Sequence, residues 1–212
     1  MKTSPKVIIV GGVAGGASCA ARLRRLDEHA SITVYDRGPF VSFANCGLPY
    51  HVGGVIPEEA SLLLASPQLF HSRFRIAVQV HHEVTSIDRT DKKVTVKNLL
   101  TGEQFEDAYD VLVLSPGAAP IRPELPGIDL PGVFSVRSIP DTREIRGWIT
   151  QKSARQAVVA GGGFIGLEMA ENLRHLGLDV ALLEAGPQLM PAMDAEMTAP
   201  LKKHLQKHGI DI

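Results

Sequence analysis

Ala157-Val158-Val159-Ala160-Gly161-Gly162-Gly163-Phe164-Ile165-Gly166 is the stretch that decides the fold. A short apolar run enters a glycine turn, and Leu167 to Leu176 continues with helical spacing. In a dinucleotide-binding βαβ unit the first glycine makes the tight turn and the second lets backbone approach a pyrophosphate. The third lets helix pack closely on strand. Gly161, Gly163 and Gly166 fill these places, and the helix N-terminus adds a favourable field for phosphate. Asp179–Glu184 reads as the next strand, with Glu184 at its end. A carboxylate there accepts from both adenosine-ribose hydroxyls and repels a 2′-phosphate, which predicts NADH in preference to NADPH.

The same pattern opens the chain. Val7–Val10 reads as a buried parallel strand, Gly11-Gly12-Val13-Ala14-Gly15-Gly16 as the turn and Ala14–Leu26 as the helix. Val13 stands where the second glycine is expected, and Asp36 closes the second strand, Ile32–Asp36. Different glycine chemistry at the two turns predicts two different cofactors. Segments Ala77–Ile87, Lys93–Asn98 and Gln104–Glu106 alternate polar and apolar residues around turns at Asp91-Lys92 and Thr101-Gly102, the mark of an antiparallel meander. Asp110–Ser115 returns as a strand stopped by Pro116-Gly117, and a connector with Pro120, Pro123, Pro126 and Pro131 follows. After the second fingerprint come a helix over Ala195–His208 and, at Gly209–Ile212, the first residues of a third strand. The expected architecture is α/β: two Rossmann-like three-layer dinucleotide-binding units in tandem. The first covers 1–118 and carries the meander as an insertion; the second covers 119–212 and reads as cut short.

Composition narrows the class. At 44% hydrophobic the chain can fill packed cores, and a net charge of -1 offers no global attraction to nucleic acid or acidic membrane. No run approaches the ~20 apolar residues of a membrane span. The start, Met1–Lys6, leads into a short apolar strand and then glycines and does not read as a signal-peptide h-region. Two cysteines, Cys19 and Cys46, are too few for a disulfide scaffold, so the chain reads as cytoplasmic. His81-His82 fits a strand surface and His204 with His208 a helix face, so no metal is expected.

Cys46, within Val41-Ser42-Phe43-Ala44-Asn45-Cys46-Gly47-Leu48-Pro49-Tyr50, lies between the two nucleotide sites. A thiol so placed predicts electrons passing from one cofactor through another to sulfur. Val41 stands five positions before it, so no CxxxxC pair exists and any disulfide joins Cys46 to a small molecule or another chain. The thiolate is the nucleophile and needs a helix N-terminus or a cation nearby, which Gly47 and a helical segment from Leu48 would supply. Cys19, beside Ala17, Ala20 and Ala21, reads as helix packing. Ser18, Arg22 and Arg25 fall at i, i+4 and i+7 on one face, and a hydroxyl with two guanidiniums suits phosphate. The alternative is that Arg22, Arg24 and Arg25 are a solvated face.

Gly11–Gly16 with Asp36, Ser42–Tyr50, Ser115-Pro116-Gly117, and Gly161–Glu168 with Glu184 resemble the pyridine nucleotide-disulfide oxidoreductases over nearly the whole chain. The resemblance implies FAD at the first site, with Gly11, Gly12, Val13, Ala14, Gly15, Asp36, Arg37, Val84, Ser115, Pro116 and Gly117 binding it. It implies NAD(P)H at the second, with Gly161, Gly163, Phe164, Ile165, Gly166, Glu168 and Glu184. Glu168 then lies near nicotinamide and flavin. Within the single-cysteine branch, oxidases and peroxidases place a histidine in the first fingerprint where this chain has Ala14. Ser42–Tyr50 is more similar to the coenzyme A-disulfide and persulfide reductases. In that subfamily residues matching Ser18, Arg22, Arg25, Ser42 and Asn45 contact coenzyme A, and Cys46 carries the mixed disulfide or persulfide. Two other readings stand beside it: an NADH oxidase or peroxidase working through a Cys46 sulfenic acid, and a truncated nucleotide-binding fragment that does not turn over. The resemblance further implies a homodimeric full-length parent with a later segment completing the FAD site, followed in some members by a rhodanese domain.

Overall fold

The structure is a computed structural model that describes residues 4–212. The chain runs β1 (Lys6–Val10), α1 (Ala14–Leu26), β2 (Ser31–Tyr35), α2 (Leu48–Val52), α3 (Pro67–Phe74) and β3 (Ala77–Gln79). It continues through β4 (His82–Asp88), β5 (Lys93–Asn98), β6 (Gln104–Ala108), β7 (Val111–Leu114) and α4 (Ile139–Lys152). The last elements are β8 (Gln156–Ala160), α5 (Phe164–His175), β9 (Asp179–Leu183), α6 (Ala195–Lys207) and β10 (Ile210–Asp211). These form two compact units, one of residues up to Ala44 with Leu63–Ala119, the other of Asn45–Leu62 with Pro120–Ile212.

The first unit is built on a parallel sheet in the order β3-β2-β1-β7, with Val7 level with Ile32 on one side and Val111 on the other. The period-2 alternation of β1 sends Val7 and Ile9 to one face and Ile8 to the other. Val7, Ile9, Ile32 and Val34 pack with Ala17 and Ala20 of α1 and Phe70 of α3. On the opposite face Ile8, Tyr35 and Leu112 pack with Val84, Val94, Val96 and Tyr109 of the antiparallel sheet β4-β5-β6. Helices, parallel sheet and meander make three layers, as the sequence predicts. One boundary differs: Ala77–Ile87 is two strands. Ala77 pairs with Thr33 in the parallel sheet, and the chain turns at His81 (φ 57) before β4 joins the meander. A continuous strand-like pattern does not say which neighbour each half pairs with.

The second unit has the parallel order β10-β9-β8. Val180, Leu182, Val159 and Ile210 pack with Met169, Ala170 and Leu173 of α5, Leu205 of α6, Ile145 of α4 and Val52 of α2. The other face is open among the described residues, with Val158 66% and Leu183 60% exposed. α5 begins at Phe164, inside the glycine turn and three residues before the helix expected from Leu167. Two helices were not anticipated. Ser138 caps α4 in a capping box with Asp141, and the Ser66 hydroxyl accepts from Leu69 N at 3.2 Å ahead of Pro67 in α3. No helix among the described residues is long and apolar enough to cross a membrane.

The meander is tied to the parallel sheet by more than apolar contact. Tyr35 donates its hydroxyl proton to Asp107 at 2.8 Å, and Lys6 pairs with the same carboxylate. Burial, and then Asp107, pushes the Tyr35 phenol well above its ordinary value. Asp107→Ala leaves a buried hydroxyl unpaired, which costs about 1–3 kcal/mol. A lower urea midpoint by circular dichroism is expected, with Asp107→Asn losing less; an unchanged midpoint would remove this tie from the account.

Candidate functional site

Each unit holds its glycine turn by the same device. In the first, Gly11 (φ 92) donates to Tyr35 O at 2.8 Å, and the two Asp36 carboxylate oxygens accept from Gly12 N and Gly38 N, both at 2.7 Å. In the second, Gly161 (φ 107) donates to Leu183 O at 2.7 Å, and Glu184 accepts from Gly162 N and Gly186 N, again at 2.7 Å. The loop beyond the acid then folds back: Ser42 N donates to Gly12 O and Met190 N to Gly162 O, both at 2.8 Å. Val41 and Leu189 fill the space under the turn. A Cβ on Gly12 would come within 2.7 Å of Val41, and one on Gly162 within 2.6 Å of Leu189. At the third-glycine place a Cβ on Gly16 or Gly166 would lie 1.7 or 1.9 Å from the oxygen of Gly11 or Gly161. The repeated Asp36-Arg37-Gly38-Pro39 and Glu184-Ala185-Gly186-Pro187 carried this signal in the sequence.

The turns fit a pyrophosphate. Neither α1 nor α5 has an acidic residue in its first turn or a side-chain cap on its N-terminal amides. Those N–H groups and the helix dipole are left to an anion. A Cβ on Gly163 would meet nothing within 4 Å, which is room for a ligand, and the matching place in the first unit takes Val13 as the N-cap. Ala14 and Gly15 follow, exposed at the start of α1, and a Cβ on Gly15 would lie 3.2 Å from Ser115 Oγ. Ser115-Pro116-Gly117 leaves β7 beside the turn, and a Cβ on Gly11 would reach Ser115 O at 2.0 Å. Arg37 is exposed, 3.9 Å from Glu83, and Val84 sits half-buried in β4.

Along α1, Ser18, Arg22 and Arg25 are exposed, and among the described residues neither arginine forms an ion pair. Arg24 separates from them. It donates to the backbone oxygens of Phe74, Asp27, Glu28, Ala30 and Arg75 at 2.7 to 3.1 Å and is a structural knot. Cys19 is half-buried against the first core. Ser42 belongs to the first unit and adopts φ 49.

Asn45 and Cys46 belong to the second unit and are exposed on a 3-10 turn, Asn45–Gly47, that runs into α2. Gly47, Leu48 and Pro49 behind them are buried. The helix itself is only five residues long. Tyr50 points its hydroxyl at Glu168 Oε1, 3.5 Å away; the Glu168 charge, then burial and Glu171, push the phenol above its ordinary value. Phe164 and Ile165 are exposed at the start of α5. His51, Arg146 and Asn172 around α2 carry no local sequence signal, because their contacts run between α2, α4 and α5.

The family model described as pyridine nucleotide-disulphide oxidoreductase matches residues 5–212. The coenzyme A disulfide reductase of Staphylococcus epidermidis is 42% identical over 205 residues, covering 97% of this chain and 46% of that protein. The crystal structure of reduced Bacillus anthracis CoADR-RHD superposes with a TM-score of 0.95 at 49% identity, over 98% of this chain and 38% of the other. A NAD-dependent persulfide reductase from A. fulgidus gives 0.92 at 38% identity, over 97% and 38%. The chain therefore spans about half the length of the curated relatives it matches.

The amides of Gly186, then Gly162, hold the Glu184 carboxyl below the ordinary carboxylate range. A lowered folded value means that the clamp stabilises the turn fully above the unfolded value and is lost as pH falls through the folded one. The Gly162 and Gly186 amide resonances are expected to titrate together with a midpoint below the usual glutamate value of about 4.3. Glu184→Gln should abolish the transition, and a midpoint at or above the usual value would sink the clamp.

Proposed function

Because the chain belongs to the pyridine nucleotide-disulphide oxidoreductase family, we propose that its protein is a flavin-dependent, NADH-driven reductase acting on a sulfur–sulfur bond. The substrate is coenzyme A disulfide, coenzyme A persulfide or a related small persulfide or polysulfide. The observation that carries this reading is the exposed Cys46, unpaired, with Cys19 the only other cysteine. The S. epidermidis and A. fulgidus proteins, by what they act on, favour the same substrate class.

Residues 1–118 would hold FAD and residues 119–212 NADH. Gly11 to Gly15, Ser115-Pro116-Gly117 and the N-terminus of α1 would cradle one pyrophosphate; Gly161, Gly163, Gly166 and the N-terminus of α5 the other. Asp36 and Glu184 would take the riboses with the lone pairs left over from the glycine amides. The Glu184 charge disfavours a 2′-phosphate, hence NADH. Ser18, Arg22, Arg25, Ser42 and Asn45 would contact coenzyme A, the two guanidiniums at its phosphates.

Cys46 as thiolate attacks one sulfur of the substrate. The Cys46 Sγ–S bond forms, the substrate S–S bond breaks, and the leaving sulfur departs as an anion that takes a proton from water. The flavin, when bound, supplies the two electrons of NADH that break the mixed disulfide and return Cys46 to thiolate. Arg22 and Arg25 hold the second coenzyme A until it leaves.

Wild-type protein incubated with coenzyme A disulfide is expected to gain one coenzyme A on Cys46 and none on Cys19, by mass spectrometry, reversed by dithiothreitol. Cys46→Ser should gain none and, in the full-length protein, lose turnover while NADH still bleaches the flavin. Arg22→Ala should raise KM for coenzyme A substrates about tenfold, the loss of one charge-assisted hydrogen bond, and affect small persulfides much less. An active Cys46→Ser protein would end the sulfur-reductase reading; equal effects on both substrate types would return Arg22 to the surface.

A further inference from the structure

His51 is a fully buried titratable side chain, 2% exposed, that the proposed chemistry does not use. Its Nδ1 lies 2.7 Å from Ile56 O, and a carbonyl only accepts, so Nδ1 carries the proton. On its other side the ring meets α4, where Arg146 Nη1 sits 2.9 Å from Nε2. The same nitrogen is 3.1 Å from Nδ1 and 3.4 Å from Pro57 O. The ring therefore bridges its own loop to α4, with Arg146 Nη1 nearly equidistant from its two nitrogens. Around it the segment is fixed at further points. Arg143 Nε and Nη2 grip Glu59 with two bonds of 2.6 Å, and Val52 enters the core. Gly53 lies so close to Asn172 of α5 that a Cβ would approach its Oδ1 to 2.4 Å.

All of this lies behind Cys46. Ahead of it in the same segment stands only Asn45, exposed. A five-residue helix does not hold itself in water, so its packing must place it. We propose that His51, through its bond to Arg146, is a positioning residue for Cys46: it locks the turn carrying the thiol onto α4. The proposal rests on Cys46 being the reacting thiol. Attack on a disulfide needs the sulfur in line with the bond it breaks, and small misplacements cost rate steeply.

The test uses the rate at which coenzyme A disulfide adds to Cys46, followed by mass spectrometry, with amide hydrogen exchange of residues 45–56 read in parallel. His51→Leu, which keeps volume and loses both bonds, is expected to slow the adduct about tenfold or more. It should also speed exchange in 45–56, while Cys19 alkylation and exchange in α5 stay as in wild type. His51→Gln, whose amide oxygen can accept from Arg146, should recover most of the rate. Arg146→Met should match His51→Leu, and the double variant should lose no more than either, because one bond is being removed twice. If His51→Leu does not fold, Arg146→Met, at a half-buried position, decides alone. A wild-type rate and unchanged exchange in either variant, or losses that add, would overturn the proposal. If wild type forms no adduct at all, it is the sulfur reading that fails, and the exchange measurement still decides whether the lock exists.

Discussion

The interaction on which the rest depends is a carboxylate at the end of a β-strand accepting from two glycine amides. Asp36 joins Gly12 to Gly38, and Glu184 joins Gly162 to Gly186. Each bond is short and charge-assisted, so it is stronger than a neutral one. Each carboxylate thereby fixes both the turn that precedes its helix and the loop that leaves its strand. The helix N-terminus is presented with its amides free because no side chain is spent on capping it.

The two units share this frame and diverge around it. Asp36 is buried and Glu184 half-buried, the longer side chain spanning the same pair of amides from a more open place. In the first unit β7 runs beside β1 and closes against Gly11, and the meander covers the far face of the sheet. In the second, β8 has β9 on one side alone among the described residues, and Gly161 has no such neighbour. The same backbone turn is thus set in two different surroundings.

Charged residues that look alike in the sequence do unlike work. Arg24 saturates its guanidinium with backbone oxygens of the α1 and α3 ends, including the left-handed Arg75. Arg22 and Arg25 keep theirs exposed. Arg143 and Arg146, on the same helix, brace the segment behind Cys46 through Glu59 and His51. Planar guanidinium forks suit each task, but only the surroundings decide which task falls to which residue.

The sequence by itself determined the two strand–turn–helix units, the meander and, between the two glycine turns, Cys46 with no CxxxxC partner. These were legible because they are local: a positive φ at Gly11 and Gly161, the lack of room for a Cβ at Gly16 and Gly166, and alternation along short strands all show within a few residues. Only the tertiary structure decided that Ala77–Gln79 leaves the meander for the parallel sheet, that Asn45–Leu62 packs with residues 120–212, and that His51 meets Arg146 across 95 positions. A residue's type states what bonds it can make, while its partner is chosen by packing between segments far apart in the chain, and no local pattern encodes that choice.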